Sequence, residues 1–125
     1  MKIIIHHSGN HNTYEKIYDL HVNRYKWNDI GYHFLIENCG RIIIGRDINK
    51  EGAHCFGQNK DSIGICLSGN FDIEKPSKKQ ILALKKLCNE LNINEIKLHR
   101  DYSKKTCPGK NFKRGLIRWI LKRKN

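Results

Sequence analysis

Short β-branched runs alternating with amphipathic helical patterns predict an α/β domain: a single domain over residues 1–125 with a central mixed β-sheet flanked by α-helices. Three observations carry that expectation. Apolar runs of strand length recur at Lys2–His6, Gly31–Glu37, Arg41–Gly45, Ser62–Ser68 and Ile93–Leu98. Two later segments place apolar residues at helical spacing. No repeat, low-complexity tract or Pro/Gly linker divides the chain.

In chain order, Lys2–His6 is a β-branched run that ends in a polar loop, as a buried strand does. Asn12, with Glu15 three residues on, opens a helix carrying Ile17, Leu20 and His21 on one side. Gly31–Glu37 and Arg41–Gly45 flank Asn38-Cys39-Gly40, a hairpin signal with a glycine available for positive φ. Ser62–Ser68 is the next apolar strand. Pro76-Ser77 followed by Gln80 is a capping signal for a helix bearing Ile81, Leu84, Leu87, Cys88 and Leu91. Ile93–Leu98 is the last strand. Phe112–Arg123 is the last helix, with Phe112, Leu116, Trp119 and Ile120 as its stripe.

Composition narrows the function. The 125 residues hold 24 Lys plus Arg against 12 Asp plus Glu, a net charge of +12. Lys97–Asn125 carries 11 basic residues and one acid, Asp101, so +10 sits in the last 29 residues. A solvated, anion-facing surface is implied: the basic C-terminal helix either packs its apolar stripe on the sheet with its charged face merely solvated, or engages an anionic envelope, or meets nucleic-acid phosphates. No specific nucleic-acid partner is expected, because no recognition module or aromatic-interleaved basic stretch accompanies the charge. No apolar run approaches about 18 residues, and the opening Met-Lys-Ile-Ile-Ile-His-His is too short for a secretory signal, so cytoplasmic synthesis is expected. Five cysteines without a C-x-x-C pair argue against a disulfide framework and a zinc ribbon; Cys66 and Cys88 read as small buried hydrophobes.

The histidines matter by position. His6 ends the first strand, His99 ends the last, and Cys107 follows eight residues after His99 in a loop closed by Pro108-Gly109. Two imidazoles and a thiolate suit zinc and leave a fourth position open, the pattern of a catalytic site. The spacing alone equally allows hydrogen-bonded histidines with no metal.

A resemblance runs from Ile4 to Gly109. Ile4-Ile5-His6-His7-Ser8, Trp27-Asn28-Asp29-Ile30-Gly31-Tyr32-His33-Phe34, Gly45-Arg46, Gly52-Ala53-His54, Asn59, Ser62-Ile63-Gly64-Ile65, Leu67-x-Gly69, His99-Arg100 and Thr106-Cys107-Pro108-Gly109 stand in family order. Together they resemble the zinc-dependent N-acetylmuramoyl-L-alanine amidases of type 2, whose fold is shared with peptidoglycan-recognition proteins and small bacteriophage amidases. The resemblance implies hydrolysis of the amide between the lactyl group of N-acetylmuramic acid and L-alanine, with Zn²⁺ as cofactor and bacterial peptidoglycan as substrate. It implies His6, His99 and Cys107 as zinc ligands. Adjacent strand residues face opposite sides, so only one of His6 and His7 reaches the ion, and the resemblance selects His6.

By the same resemblance, Tyr32 and Lys105 are the catalytic candidates, the phenol orienting water or donating to the oxyanion and the ammonium stabilising developing negative charge. His54, Arg46 and Asn59 are the substrate-groove candidates, and His33, on the strand face opposite Tyr32, is structural. The expected role is a monomeric phage or prophage endolysin acting on the cell wall. The alternatives are a non-catalytic peptidoglycan binder and an intracellular muropeptide-recycling amidase; relatives of the latter type use aspartate where Cys107 stands.

Overall fold

The computed structural model describes residues 1–122; Arg123, the last residue of the expected final helix, and Lys124 and Asn125 after it lie outside the described residues. Five strands form one mixed sheet in the order β3-β2-β4-β1-β5, where β1 is Lys2–His7, β2 Phe34–Ile36, β3 Ile42–Ile44, β4 Ser62–Leu67 and β5 Ile96–Leu98. β2 and β3 are the antiparallel hairpin; β2, β4, β1 and β5 run parallel. The central strands β1 and β4 are apolar on both faces because both faces are covered.

Helices α2 (Lys78–Leu91) and α3 (Gly115–Leu121) close the larger core on one face. There Ile3, Ile5, Ile63, Ile65, Phe71, Leu84 and Phe112 are almost wholly buried. Each such side chain stabilises the fold by roughly 1.5–3 kcal/mol relative to exposure. Helix α1 (Tyr14–Tyr18), continued by a π-helical segment at Asp19–Arg24, covers part of the other face over Ile17, Ile30, Leu35 and Cys66. The same face also carries the His6 ring, in contact with those of His54 and His99.

The α2 capping box forms as expected. Ser77 Oγ accepts from the Gln80 N–H, and Gln80 Oε1 accepts from the Ser77 N–H. The Gln80 amide then donates to the carbonyls of Ile36 and Ser68, tying the helix start to the ends of β2 and β4. Gly40 takes φ +91° in the β2–β3 turn, the conformation its glycine permits.

Most strand and helix ends shift by a residue or two, and four starts differ from expectation for identifiable reasons. The cap of α1 is Thr13, not Asn12, because the Thr13 hydroxyl accepts from the Lys16 N–H. β2 starts at Phe34 rather than Gly31, although the His33 N–H still donates to the Gly64 carbonyl and extends the pairing. β5 starts at Ile96 rather than Ile93, since α2 runs to Leu91 and turns through Asn92 in the left-handed region. α3 starts at Gly115, so Phe112 is buried ahead of the helix, Ile117 and Ile120 point inward, and Trp119 is 40% exposed instead of lying on the buried stripe.

Candidate metal centre

Strand alternation at the end of β1 sends its two histidines apart. The His7 ring packs on Phe71 in the main core, and its Nδ1 accepts from the Phe71 N–H at 3.0 Å. The His6 ring turns to the opposite face and is 2% exposed, ringed by His99, His54 and Tyr32 at centroid distances of 4.6, 4.9 and 5.3 Å. β5 lies beside β1, so His99, the first residue of the turn that follows it, arrives next to His6.

Cys107 comes from a loop held on several sides. Its carbonyl accepts from the Arg100 N–H at 2.7 Å, while the Arg100 guanidinium donates to the carbonyls of Gly109 and Phe112. The Asp72 carboxylate accepts from the Thr106 hydroxyl and the Lys110 N–H. The His7 N–H points at the Cys107 sulfur, 3.4 Å away.

The ligating atoms of His6, His99 and Cys107 therefore converge within 4.8 Å of one another. His6 Nδ1 lies 3.2 Å from His99 Nδ1 and 3.9 Å from Cys107 Sγ. Tetrahedral zinc with its usual bond lengths separates two nitrogens by about 3.3 Å and a nitrogen from a sulfur by about 3.6 Å. The donor set fits zinc in kind, and the two separations from His6 lie close to these values. It is the cluster of metal-ligand type found among the described residues.

Electrostatics agree with that fit. Burial, reinforced by His54 and His99, holds His6 well below the ordinary imidazole range, and burial lowers His99 as well, with Lys105 adding to the effect. Both rings are neutral, with lone pairs to offer. Burial pushes the Cys107 thiol up to about 11, so its proton leaves with metal uptake. The Lys105 charge lowers Cys107 too, which places its field over two of the three candidate donors.

Tyr32 packs against His6 and hydrogen-bonds Cys66; burial, with the nearby Cys66 and Cys107, raises its phenol well above the ordinary range. It remains a hydrogen-bond donor at neutral pH. Lys105 is exposed on the Cys107 loop. His33 is buried, its Nδ1 accepting from the Gly64 N–H and its Nε2 donating to the Lys50 carbonyl.

The three groove candidates are more engaged with the protein than their sequence positions imply. His54 is buried, with Nδ1 2.8 Å from His6 Nε2 and Nε2 3.2 Å from Ser62 Oγ. Asn59 Oδ1 accepts from the backbone N–H groups of His54 and Cys55 and so shapes that loop. Arg46 donates to the carbonyls of Asp29, Ile30 and Glu51, clamping two loops together. A shallow depression of about 240 Å³ beside the cluster is lined by Trp27, Ala53, His54, Cys55, Phe56 and Asn59. Phe56 there is 99% exposed.

Sequence reasoning missed Asp72, Cys66 and Ser62 as supports of the site. Asp72 carries no local signal, since its partners lie more than thirty residues away. Ser62 falls within Ser62-Ile63-Gly64-Ile65, where its position marks it only as a strand residue.

The model of the N-acetylmuramoyl-L-alanine amidase family matches residues 1–110. An endolysin of Klebsiella phage KP32 is 36% identical over 97 residues, covering 70% of this chain and 64% of its own length. Peptidoglycan-recognition protein 2 of Holotrichia diomphalia is 47% identical over 70 residues, covering 56% of this chain and 37% of its own. The chain thus spans less than two-thirds of either relative. Among solved structures, N-acetylmuramoyl-L-alanine amidase LysC from Clostridium intestinale superposes with a TM-score of 0.87 at 36% identity, over 96% of this chain and 83% of that one. Drosophila PGRP-LB superposes with a TM-score of 0.83 at 31% identity, over 96% and 81%.

Proposed function

The chain belongs to the N-acetylmuramoyl-L-alanine amidase family, and from that premise we propose that it hydrolyses the amide between N-acetylmuramic acid and L-alanine in bacterial peptidoglycan, with zinc held by His6, His99 and Cys107. The observation that carries the reading is the convergence of two imidazoles and one thiol within 4.8 Å of one another, with His6 at zinc-like separations from both partners. When bound, zinc supplies Lewis acidity, polarising an amide carbonyl and acidifying water to a pKa of about 7.

The protein's own groups do the rest. The protonated Tyr32 phenol beside His6 donates a hydrogen bond to water or to the oxygen that becomes the oxyanion. The Lys105 ammonium stabilises the same developing charge from the loop carrying Cys107. The depression between Trp27 and Phe56, floored by His54 and Asn59, receives part of the muropeptide, while Arg46 keeps its walls in place. The endolysin relatives support action at the cell wall as a phage or prophage lytic enzyme. The exposed basic residues Lys113, Arg118 and Lys122 add attraction to that anionic envelope.

A non-catalytic binder is the second reading, favoured by the similarity to peptidoglycan-recognition proteins. One experiment separates the two: bound zinc is measured, and purified peptidoglycan is incubated with wild type and Cys107→Ser. New L-alanine amino termini without new reducing sugar ends, lost in Cys107→Ser, are expected. Zinc-free protein that releases no amines overturns the enzyme reading, and new reducing ends indicate a glycosidase instead. Lys105→Ala should retain zinc and lose roughly 10²–10³ in turnover; full turnover removes Lys105 from the mechanism.

A further inference from the structure

His54 is hydrogen-bonded to a metal ligand, and its proton can be located from its neighbours. Ser62 Oγ lies 2.6 Å from the Gln58 carbonyl and 3.3 Å from the Asn59 carbonyl. Carbonyls only accept, so the single hydroxyl proton of Ser62 is committed to them. Facing His54 Nε2, Ser62 Oγ has only a lone pair to offer, so the proton of that 3.2 Å contact belongs to His54 Nε2. Burial favours the neutral ring, and a neutral imidazole holds one N–H, so the other nitrogen of His54, Nδ1, is an acceptor.

That acceptor lies 2.8 Å from His6 Nε2. His6 must donate there, which leaves the lone pair on His6 Nδ1, the atom facing His99 Nδ1 and Cys107 Sγ. The opposite tautomer would put a hydrogen on Nδ1, in the middle of the donor set.

The backbone makes room for this ring. Gly64 of β4 pairs with Ile4 of β1, two residues before His6. A Cβ on Gly64 would meet three atoms of the His54 ring at 2.5–2.8 Å, and one on Gly52 would meet His54 Cδ2 at 2.6 Å. Asn59 holds the His54 and Cys55 N–H groups from the other side. Ring, strand and loop are thus fitted to one orientation.

We propose that His54 is the positioning residue of the metal centre: through the relay Gln58 carbonyl, Ser62 hydroxyl, His54 ring, it fixes the tautomer and orientation of His6 so that Nδ1 is presented to the ion. The inference rests on the zinc-amidase reading and gives His54 a task other than contact with substrate. Outer partners of this kind typically contribute 10–100-fold in metal affinity.

The test uses the full chain, with zinc as the probe in competition with a chromophoric chelator and ¹⁵N NMR of the histidine rings in zinc-free protein. Wild-type His6 is expected to carry its proton on Nε2. His54→Ala should make that tautomer a mixture and weaken zinc binding roughly 10–100-fold. His54→Gln, whose Oε1 can accept from His6 Nε2, should recover most of the loss. Ser62→Ala, which leaves the His6 contact in place but frees the His54 tautomer, should shift both readouts in the same direction and serves where His54→Ala does not fold. A wild-type His6 protonated on Nδ1, or folded His54→Ala with wild-type zinc affinity, overturns the proposal while leaving the amidase reading intact. Zinc-binding wild type that cleaves no peptidoglycan overturns the amidase reading alone, and wild type that takes up no zinc overturns both.

Discussion

Gly64→Ala probes the packing that holds the metal centre. The backbone at Gly64 is outside the left-handed region, so a side chain there meets no conformational strain of its own. The added methyl would lie 2.5, 2.7 and 2.8 Å from Cγ, Cδ2 and Nδ1 of His54, where ordinary contact is about 3.5–4.0 Å. The ring must retreat by about 1 Å, yet it is buried and hydrogen-bonded at both nitrogens. Overpacking of this kind costs roughly 1–3 kcal/mol. Removing a glycine restrains the unfolded chain and returns about 0.4–1 kcal/mol. The net loss is about 1–2 kcal/mol, or a Tm about 4–8 °C lower for a chain of this length. Thermal unfolding of Gly64→Ala, His54→Ala and the double variant measures it as a cycle. If the clash is with the His54 ring, the double variant is more stable than the sum of the single losses predicts, by about 1 kcal/mol or more. Additive losses would refute the reasoning, because the alanine would then be colliding with something else.

Arg100→Ala removes the fork that holds the Gly109 and Phe112 carbonyls; urea unfolding should show a loss of about 1.5–3 kcal/mol, and Arg100→Lys should recover less than half of it. Asp72 is held below 3.8 chiefly by the Thr106 hydroxyl and then by the Lys110 N–H, so its contribution to stability is present above the ordinary carboxylate pKa and fades as pH falls through the lowered folded value. The Tm difference between wild type and Asp72→Asn should accordingly be constant near neutrality and shrink below pH 3.8; a difference that persists into stronger acid contradicts the assignment. In native protein Cys39 should be the fast-reacting thiol toward a disulfide reagent, while Cys88, buried and pushed up to about 12, stays silent. Zinc should protect Cys107 from the same reagent; reaction of Cys88 at the rate of Cys39 would contradict the packing.

Much of this fold was legible because local chemistry and burial agree. The capping box at Ser77 and Gln80, the turn at Gly40 and the β-branched runs of β1 and β4 announce themselves within a few residues. The α3 stripe is ambiguous in sequence because Leu116, Ile117, Trp119, Ile120 and Leu121 surround a single charge, Arg118, and admit two helical faces; packing on the core buries Ile117 beside Ile120 and leaves Trp119 at the rim under the Lys85 ammonium. β5 was drawn too long because Ile93 is apolar, yet it packs on the core from a turn rather than from the sheet.

The metal centre divides along the same line. Sequence by itself supplied the donor types, and the motif order singled out the candidates: His6 before His7, His99 at a strand end, Cys107 in its loop. Tertiary structure alone decided how those donors are held. The supports are contacts between segments far apart in the chain: Asp72 on Thr106, Arg100 on Phe112, Gly64 beneath His54, and His54 on His6. A ligand can be recognised by its chemistry, which a residue name carries. Its orientation depends on which hydrogen-bond partner the fold places behind it, and for His6 that partner, His54, comes from the segment leading into β4, the strand that pairs with β1.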